Sequence, residues 1–300
     1  MDFGRLSDLS QVNFSLPPDV AHNAVLLNSK SSFHPLAVWL GCPVWGEKNW
    51  TGMIYPAHAK EKDFLRHYGT QFNSIELNST YYRIPAPQTV QNWAAAVSEG
   101  FRFCPKIPQE ISHTRQLLAC EALTEAFCLA VMEFGPKLGT AFLQLPPHFG
   151  PQRLHLLRDY LEGFPREIPL AVEFREENWF TGSAFDEVCN LLEELQVTAV
   201  ITDTAGRRDV LHQRLTTTTA FIRFTANDLH PTDYPRLQQW TAQIATWQQQ
   251  GLETIYFFVH SPTHVQMPHL VKYAAVQLNT LPGIQLTPCR FLDEQQPTLF

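Results

Sequence analysis

Glu173 and Arg175 stand two residues apart in "AVEFREENW" (171–179), at the end of an apolar run. Residues two apart on a strand share one face. A carboxylate and a guanidinium would therefore leave the run side by side. Such a pair can hold an oxyanion, move a proton or neutralise itself. Other apolar runs end the same way. Glu76 and Asn78 close "FNSIELN" (72–78), Lys106 lies near the end of "FRFCPKI" (101–107), and Gln144 falls late in "TAFLQLP" (140–146). Asp203 ends "VTAVITD" (197–203), Arg223 lies within "AFIRFTA" (220–226) and His260 ends "TIYFFVH" (254–260).

Each residue alone has a plain structural explanation. Glu173 and Arg175 make an ordinary ion pair, Gln144 caps backbone groups, Lys106 points to solvent, and a lone His260 is a satisfied polar residue. Polar ends on seven of eight apolar runs are harder to explain that way, because buried charge is costly unless paired. Together they predict a small-molecule site. Lys106, Arg175 and Arg223 would anchor an anionic group, since arginine binds carboxylate and phosphate oxygens in pairs. Glu76 and Glu173 would transfer protons, with Asp203 orienting a partner. Asn78, Gln144 and His260 would bind substrate, and Tyr82 and Trp179 would stack on it. Tyr81, Trp45 and Trp50 fall in the same loops, and Trp50 reads more readily as core. The expected substrate is small, anionic and hydroxylated, like a sugar phosphate.

Two other readings use the same residues. A sugar-isomerase-like barrel would bring Glu76, Glu173, Asp203 and His260 to one divalent ion, against the repulsion of three cations. A non-catalytic binding protein would use the site without turnover. No G-x-S-x-G or H-E-x-x-H motif is present, and no cofactor or metal is expected. Cys42 reads as a buried thiol. In "AGRRD" (205–209), Arg207 and Arg208 read as a solvated loop at the same end.

The elements that would position these groups alternate. Besides the runs above, "AVWLGCP" (37–43) and "PLAVEFR" (169–175) are strand-like. Helical spacing occurs at 59–69, where Gly69 reads as a C-cap, and at 89–100, 114–135, 151–163, 184–196, 234–250 and 263–279. A polar stretch without a helix precedes residue 220. Eight strands in alternation with helices over roughly 250 residues predict a parallel TM-free α/β fold of the TIM (β/α)8 barrel type, whose site lies at the C-terminal strand ends. An open doubly wound sheet would carry a Gly-rich phosphate turn, and none is present. Residues 1–35, rich in Ser, Asn and Pro, read as an irregular extension or strap. Residues 36–283 read as the barrel and 284–300 as a tail.

The bulk composition fits an enzyme-like globular chain. Its 300 residues are 44% hydrophobic and 17% charged, with a formal charge of −7. A chain of this length buries about three quarters of its unfolded surface. The acidic balance and the lack of a Lys/Arg run argue against nucleic acid or an anionic membrane as partner. Six scattered cysteines without a C-x-x-C pair, no secretory leader and no long apolar segment predict a cytoplasmic location.

The ordered motifs "FNSIELNSTYYRIPAPQTVQNW" (72–93), "FRFCPKIPQEISHTRQL" (101–117), "KLGTAFLQLPPHF" (137–149) and "AVEFREENWF" (171–180) resemble the YecE-like family, domain of unknown function 72. The resemblance covers about residues 38 to 280. It implies a TIM-type barrel and no established activity. It also implies that Glu76, Asn78, Tyr82, Lys106, Gln144, Glu173, Arg175, Trp179, Asp203 and Arg223 occupy family motif positions. The chain departs from the family pattern at three places. Cys42-Pro43-Val44-Trp45 stands where Ser-Gly-Trp is usual after strand one. Phe224, Thr225 and Ala226 follow Arg223 where His-Gly is usual. Phe258-Val259-His260 replaces Phe-Asn-Asn in strand eight.

Overall fold

The computed structural model describes residues 4–28 and 35–295. Eight parallel strands form one sheet: β1 Ala37–Cys42, β2 Ser74–Leu77, β3 Arg102–Pro105, β4 Ala141–Gln144, β5 Leu170–Glu173, β6 Thr198–Asp203, β7 Thr219–Thr225 and β8 Thr254–His260. Neighbouring strands pair from β3 through β2, β1, β8, β7, β6 and β5 to β4. Single bridges bring the two ends together. Gly139 N donates to Phe103 O at 2.8 Å and Ile107 N to Phe142 O at 2.9 Å. Gly139 suits this seam, because a Cβ there would lie 2.8 Å from Cys104 Sγ and 3.1 Å from Phe103 O. The result is the expected (β/α)8 barrel.

The helices are α1 Ala21–Asn28, α2 Phe64–Gln71, the single turn α3 Ser79–Tyr82, α4 Pro87–Ala95, α5 Glu121–Met132, α6 Leu154–Glu162, α7 Ala184–Leu195, α8 Asp233–Gln250 and α9 Met267–Leu278. Two boundaries differ from the sequence reading. Gly69 lies inside α2, which ends at Gln71. Its missing side chain serves packing, since a Cβ there would meet Val97 Cγ1 at 2.8 Å. The helix expected from residue 114 begins at Glu121. The chain first makes a π-turn at Glu110–Thr114, and then Gln116, Leu117 and Ala119 adopt positive φ.

Two apolar layers result from the strand alternation. The outward residues join the helices in a continuous core. Inside the barrel, Cys104, Phe142, Ala171, Val200, Phe221, Tyr256 and Phe258 form a separate plug. Counting two residues on from several of these reaches Lys106, Gln144, Glu173, Thr202, Arg223 and His260. A polar layer therefore rests on the apolar one at the C-terminal rim.

Residues 204–218, between β6 and β7, contain one short 3-10 turn and no α-helix. α1 packs on α8, and its His22 reaches Glu193 of α7 at 3.0 Å. Asn23, fully buried, donates to Gln213 O at 2.6 Å and accepts from Leu215 N at 2.8 Å. A helix from the extension thus covers the crossover that lacks its own. The extension was expected to be irregular, and this helix is the difference. Its apolar residues are spread around the axis, so "AHNAVLLN" shows no periodic face. Before α1, the chain crosses the rim. Gly206 N donates to Gly4 O at 2.8 Å, Arg208 to Ser15 O at 3.1 Å, and Leu16 N to Gln239 Oε1 at 3.1 Å. The parts of the sequence-defined extension and tail at 1–3, 29–34 and 296–300 lie outside the described residues.

Candidate functional site

Glu76, Glu173 and Arg223, from β2, β5 and β7, meet at the centre of the rim. Arg223 Nε and Nη2 donate to Glu76 Oε2 and Oε1 at 2.8 and 2.9 Å, and Nη1 donates to Glu173 Oε2 at 2.6 Å. Asn78 donates to Glu76 Oε1 at 2.9 Å, and His260 Nε2 lies 2.9 Å from Oε2. Arg175 Nε donates to Glu173 Oε1 at 2.9 Å, and Gln144 Nε2 donates to Oε2 at 2.7 Å. Gln144 Oε1 in turn accepts from Lys106 Nζ at 2.9 Å. Eight of the eleven expected residues form one hydrogen-bonded chain.

The electrostatics follow from these pairings. Burial raises the Glu76 and Glu173 carboxyls, but the adjacent guanidiniums outweigh it. Arg223 with His260 holds Glu76 well below the usual range, and Arg175 with Arg223 holds Glu173 at about 2. Both are therefore ionised and fully engaged, so they are poor bases at neutral pH. Burial keeps the His260 imidazole below its usual value despite Glu76. Lys106 behaves differently. Burial and the Arg223 charge pull it down to about 7, against the opposing pull of Glu173 and Glu76. Its amine lies over the Tyr81 ring, 4.1 Å from the centroid.

Three expected residues lie elsewhere. Asp203 is one step out of phase with Val200 and points away from the barrel interior. It accepts from Arg236 Nη2 and Trp240 Nε1 of α8, each at 2.8 Å, and from Arg208. Its place on the interior face passes to Thr202, which lines the cavity and whose buried hydroxyl has no hydrogen-bond partner among the described residues. Trp179 is fully buried. It donates to Phe149 O at 2.6 Å and packs edge-on against Phe174, so it braces a loop and cannot stack on a ligand. Tyr82 is 79% exposed, with its ring against Tyr81 rather than in the cluster.

A metal centre fails on the same geometry. Asp203 is turned away, and both Glu76 oxygens already face Arg223. Among the described residues no group of three His, Cys, Asp or Glu is arranged to hold a metal ion. Cys42 is buried, and burial raises its thiol well above the ordinary value. Arg207 pairs with Asp209 and donates to Arg175 O at 2.9 Å.

Above the cluster lies a cavity of about 970 Å3. Its floor includes Arg175, Thr202, Arg223 and His260. The opposite wall is the extension, including Arg5, Asp8 and Phe14. The sequence reading allowed residues 1–35 to strap the barrel but named none of them as site residues, because residues 4–14 show no periodicity. It also passed over His113, whose ring lies 5.4 Å from that of Tyr81. The available signal was its place in a polar loop just after a strand.

The fold and rim define a class: a (β/α)8 barrel with a paired-charge polar layer at the C-terminal strand ends. The family model described as "Protein of unknown function DUF72" matches residues 39–290, and the chain belongs to that family. It is 31% identical over 283 residues to the UPF0759 protein YecE of Escherichia coli strain K12, covering 88% of this chain and all of that one. It is 24% identical over 165 residues to the UPF0759 protein YunF of Bacillus subtilis, covering 52% of this chain and 57% of that one. Among solved structures, a DUF72 family protein from Enterococcus faecalis aligns with TM-score 0.66 at 19% identity, over 84% of this chain and 98% of that one. One from Thermotoga maritima aligns with TM-score 0.64 at 22% identity, over 81% and 98%. Both structural likenesses concern the fold. No helix among the described residues is long and apolar enough to cross a membrane.

Proposed function

We propose that the chain is an enzyme acting on a small anionic, hydroxylated molecule, with the Lys106 amine as its acid–base group. The observation that carries this reading is the unbroken chain from Lys106 through Gln144, Glu173 and Arg223 to Glu76 and His260, of which Arg223 and His260 line the cavity. Glu76 and Glu173 act in it as fixed charges that hold Arg223 in place. Proton transfer passes to Lys106, the group poised near neutrality. Arg175 and Arg223 favour an anion at the cavity floor, and the unpartnered Thr202 hydroxyl suits a hydrogen-bonding ligand. Six free, buried cysteines fit a reducing, cytoplasmic setting.

Calorimetric titration with inorganic phosphate, sugar phosphates and hydroxy acids tests the reading. Binding is expected with at least one of them, weakened tenfold or more in Arg175→Gln and in Thr202→Val. Thr202→Val should leave the fold intact, because the hydroxyl has no partner to lose among the described residues. Binding to none of these compounds, or binding unchanged in both variants, overturns it. A binder without turnover is the second reading, favoured by the full engagement of both carboxylates. It predicts binding without consumption of the ligand.

A further inference from the structure

We propose that Lys106 is a Schiff-base lysine, whose nitrogen adds to the carbonyl carbon of an anionic aldehyde or ketone at the rim. This rests on the enzyme reading above and narrows its substrate class.

Lys106 is 7% exposed, yet among the described residues no carboxylate pairs with it. The two nearest carboxylates are held by arginines. Its amine has one hydrogen-bond partner among the described residues, the neutral Gln144 Oε1. Lys137 is the contrast. It is equally buried, but pairs with Glu99 at 3.0 Å and donates to two backbone carbonyls. A buried ammonium without a counter-charge is costly, so the neutral amine is favoured, and the neutral amine is the nucleophile. The backbone that carries the amine is held on both sides. Lys106 N donates to Leu77 O at 3.1 Å, and its carbonyl accepts from the buried Thr80 hydroxyl at 2.8 Å.

The loop beyond β3 is shaped toward the amine. Its π-turn holds His113 beside Tyr81, the ring that covers Lys106, and three left-handed non-glycine residues, Gln116, Leu117 and Ala119, follow. Backbone strain of this kind concentrates at functional sites. Burial and the Lys106 and Arg175 charges hold His113 at about 4, so the imidazole is uncharged at neutral pH.

The chemistry balances without an added oxidant or reductant. The nitrogen lone pair attacks the carbonyl carbon, and a C–N bond forms. The oxygen takes up a proton to give a carbinolamine. The C–O bond then breaks and the oxygen leaves as water, giving a protonated C=N bond. Net, amine and carbonyl take up one proton and release one water. Arg175 and Arg223 would hold the anionic end.

The test is reductive trapping. The full chain is incubated at pH 7 with pyruvate, glyoxylate or glyceraldehyde 3-phosphate, reduced with sodium borohydride and mapped by peptide mass. Hydride adds to the iminium carbon and fixes the adduct as a secondary amine. At least one probe should label Lys106 tenfold or more above the exposed Lys48, Lys60 and Lys62, and Lys106→Arg should lose that label. Labelling spread over the exposed lysines, with Lys106 unmodified for all three probes, overturns the assignment. Calorimetry with inorganic phosphate separates the two readings. If phosphate binds the rim without trapping, only the Schiff-base step falls; if no probe is trapped and neither phosphate, the sugar phosphates nor the hydroxy acids bind, both fall.

Discussion

Lys106 reaches Gln144 and not a carboxylate: its Nζ lies 2.9 Å from Gln144 Oε1. Gln144 stands between the amine and Glu173, taking the negative charge out of direct contact while keeping the hydrogen bonding continuous. That interposed amide separates this rim from a plain set of ion pairs.

Arg223 is the member whose loss should harm the fold most. It bridges two buried carboxylates, and truncation leaves Glu76 without a guanidinium and Glu173 with Arg175 alone. Breaking a buried pair costs about 3–5 kcal/mol, so Arg223→Met should lower the urea midpoint by that equivalent without changing the slope. Arg223→Lys should recover part of the loss, since one ammonium cannot span both carboxylates.

The same pairings predict acid sensitivity. Glu76 and Glu173 have folded values below their unfolded ones. Their contribution is therefore fully present above the unfolded carboxyl range, and is lost as pH falls from about 5 toward 2. Urea midpoints measured down this range should drop, and the drop should shrink in Glu173→Gln, which already lacks one of the two carboxylates.

Lys106 contributes the opposite kind of slope. Its folded value, about 7, lies below the ordinary 10.5, so between these values the unfolded chain binds a proton that the folded chain does not. Stability should rise with pH across that window, by up to about 1.4 kcal/mol per unit from this group. Lys106→Met should flatten the rise.

The extension should be structural as well as a wall of the cavity. Asn23→Ala removes the partners of Gln213 O and Leu215 N, at about 1–3 kcal/mol for each buried group left unsatisfied. Thermal melts of the full chain check this. A variant as stable as the parent would show that α1 is not needed to cover the crossover.

Much of this was legible in the sequence because strands carry a strict period of two. Glu173 with Arg175, and the endings at Glu76, Lys106, Gln144, Arg223 and His260, could be placed on the interior face. The same rule misplaced Asp203. In "TAVITD" both faces are apolar or small, so the chain gives no sign of which one turns inward, and the phase became visible only with Val200 in the plug. Trp179 was misjudged because a tryptophan after a strand braces loops as readily as it stacks on ligands. The helix of the extension has no periodic face, since its partners are a crossover and two other helices.

The phase of Asp203 gives its own test. Asp203→Asn should destabilise the fold through Arg236 and Trp240. It should leave the ionisation of Lys106 unchanged. Glu173→Gln should lower the Lys106 value further, because the Glu173 charge raises it. Equal effects of the two variants on Lys106 would place Asp203 in the site after all.

The most direct measurement is the ionisation of Lys106 itself. Competitive acetylation across pH 5 to 11, read by peptide mass, gives a midpoint for every lysine. The expected midpoint for Lys106 is near 7. A Lys106 midpoint at or above that of the exposed lysines would mean an ordinary ammonium at the rim, and would contradict the proposal.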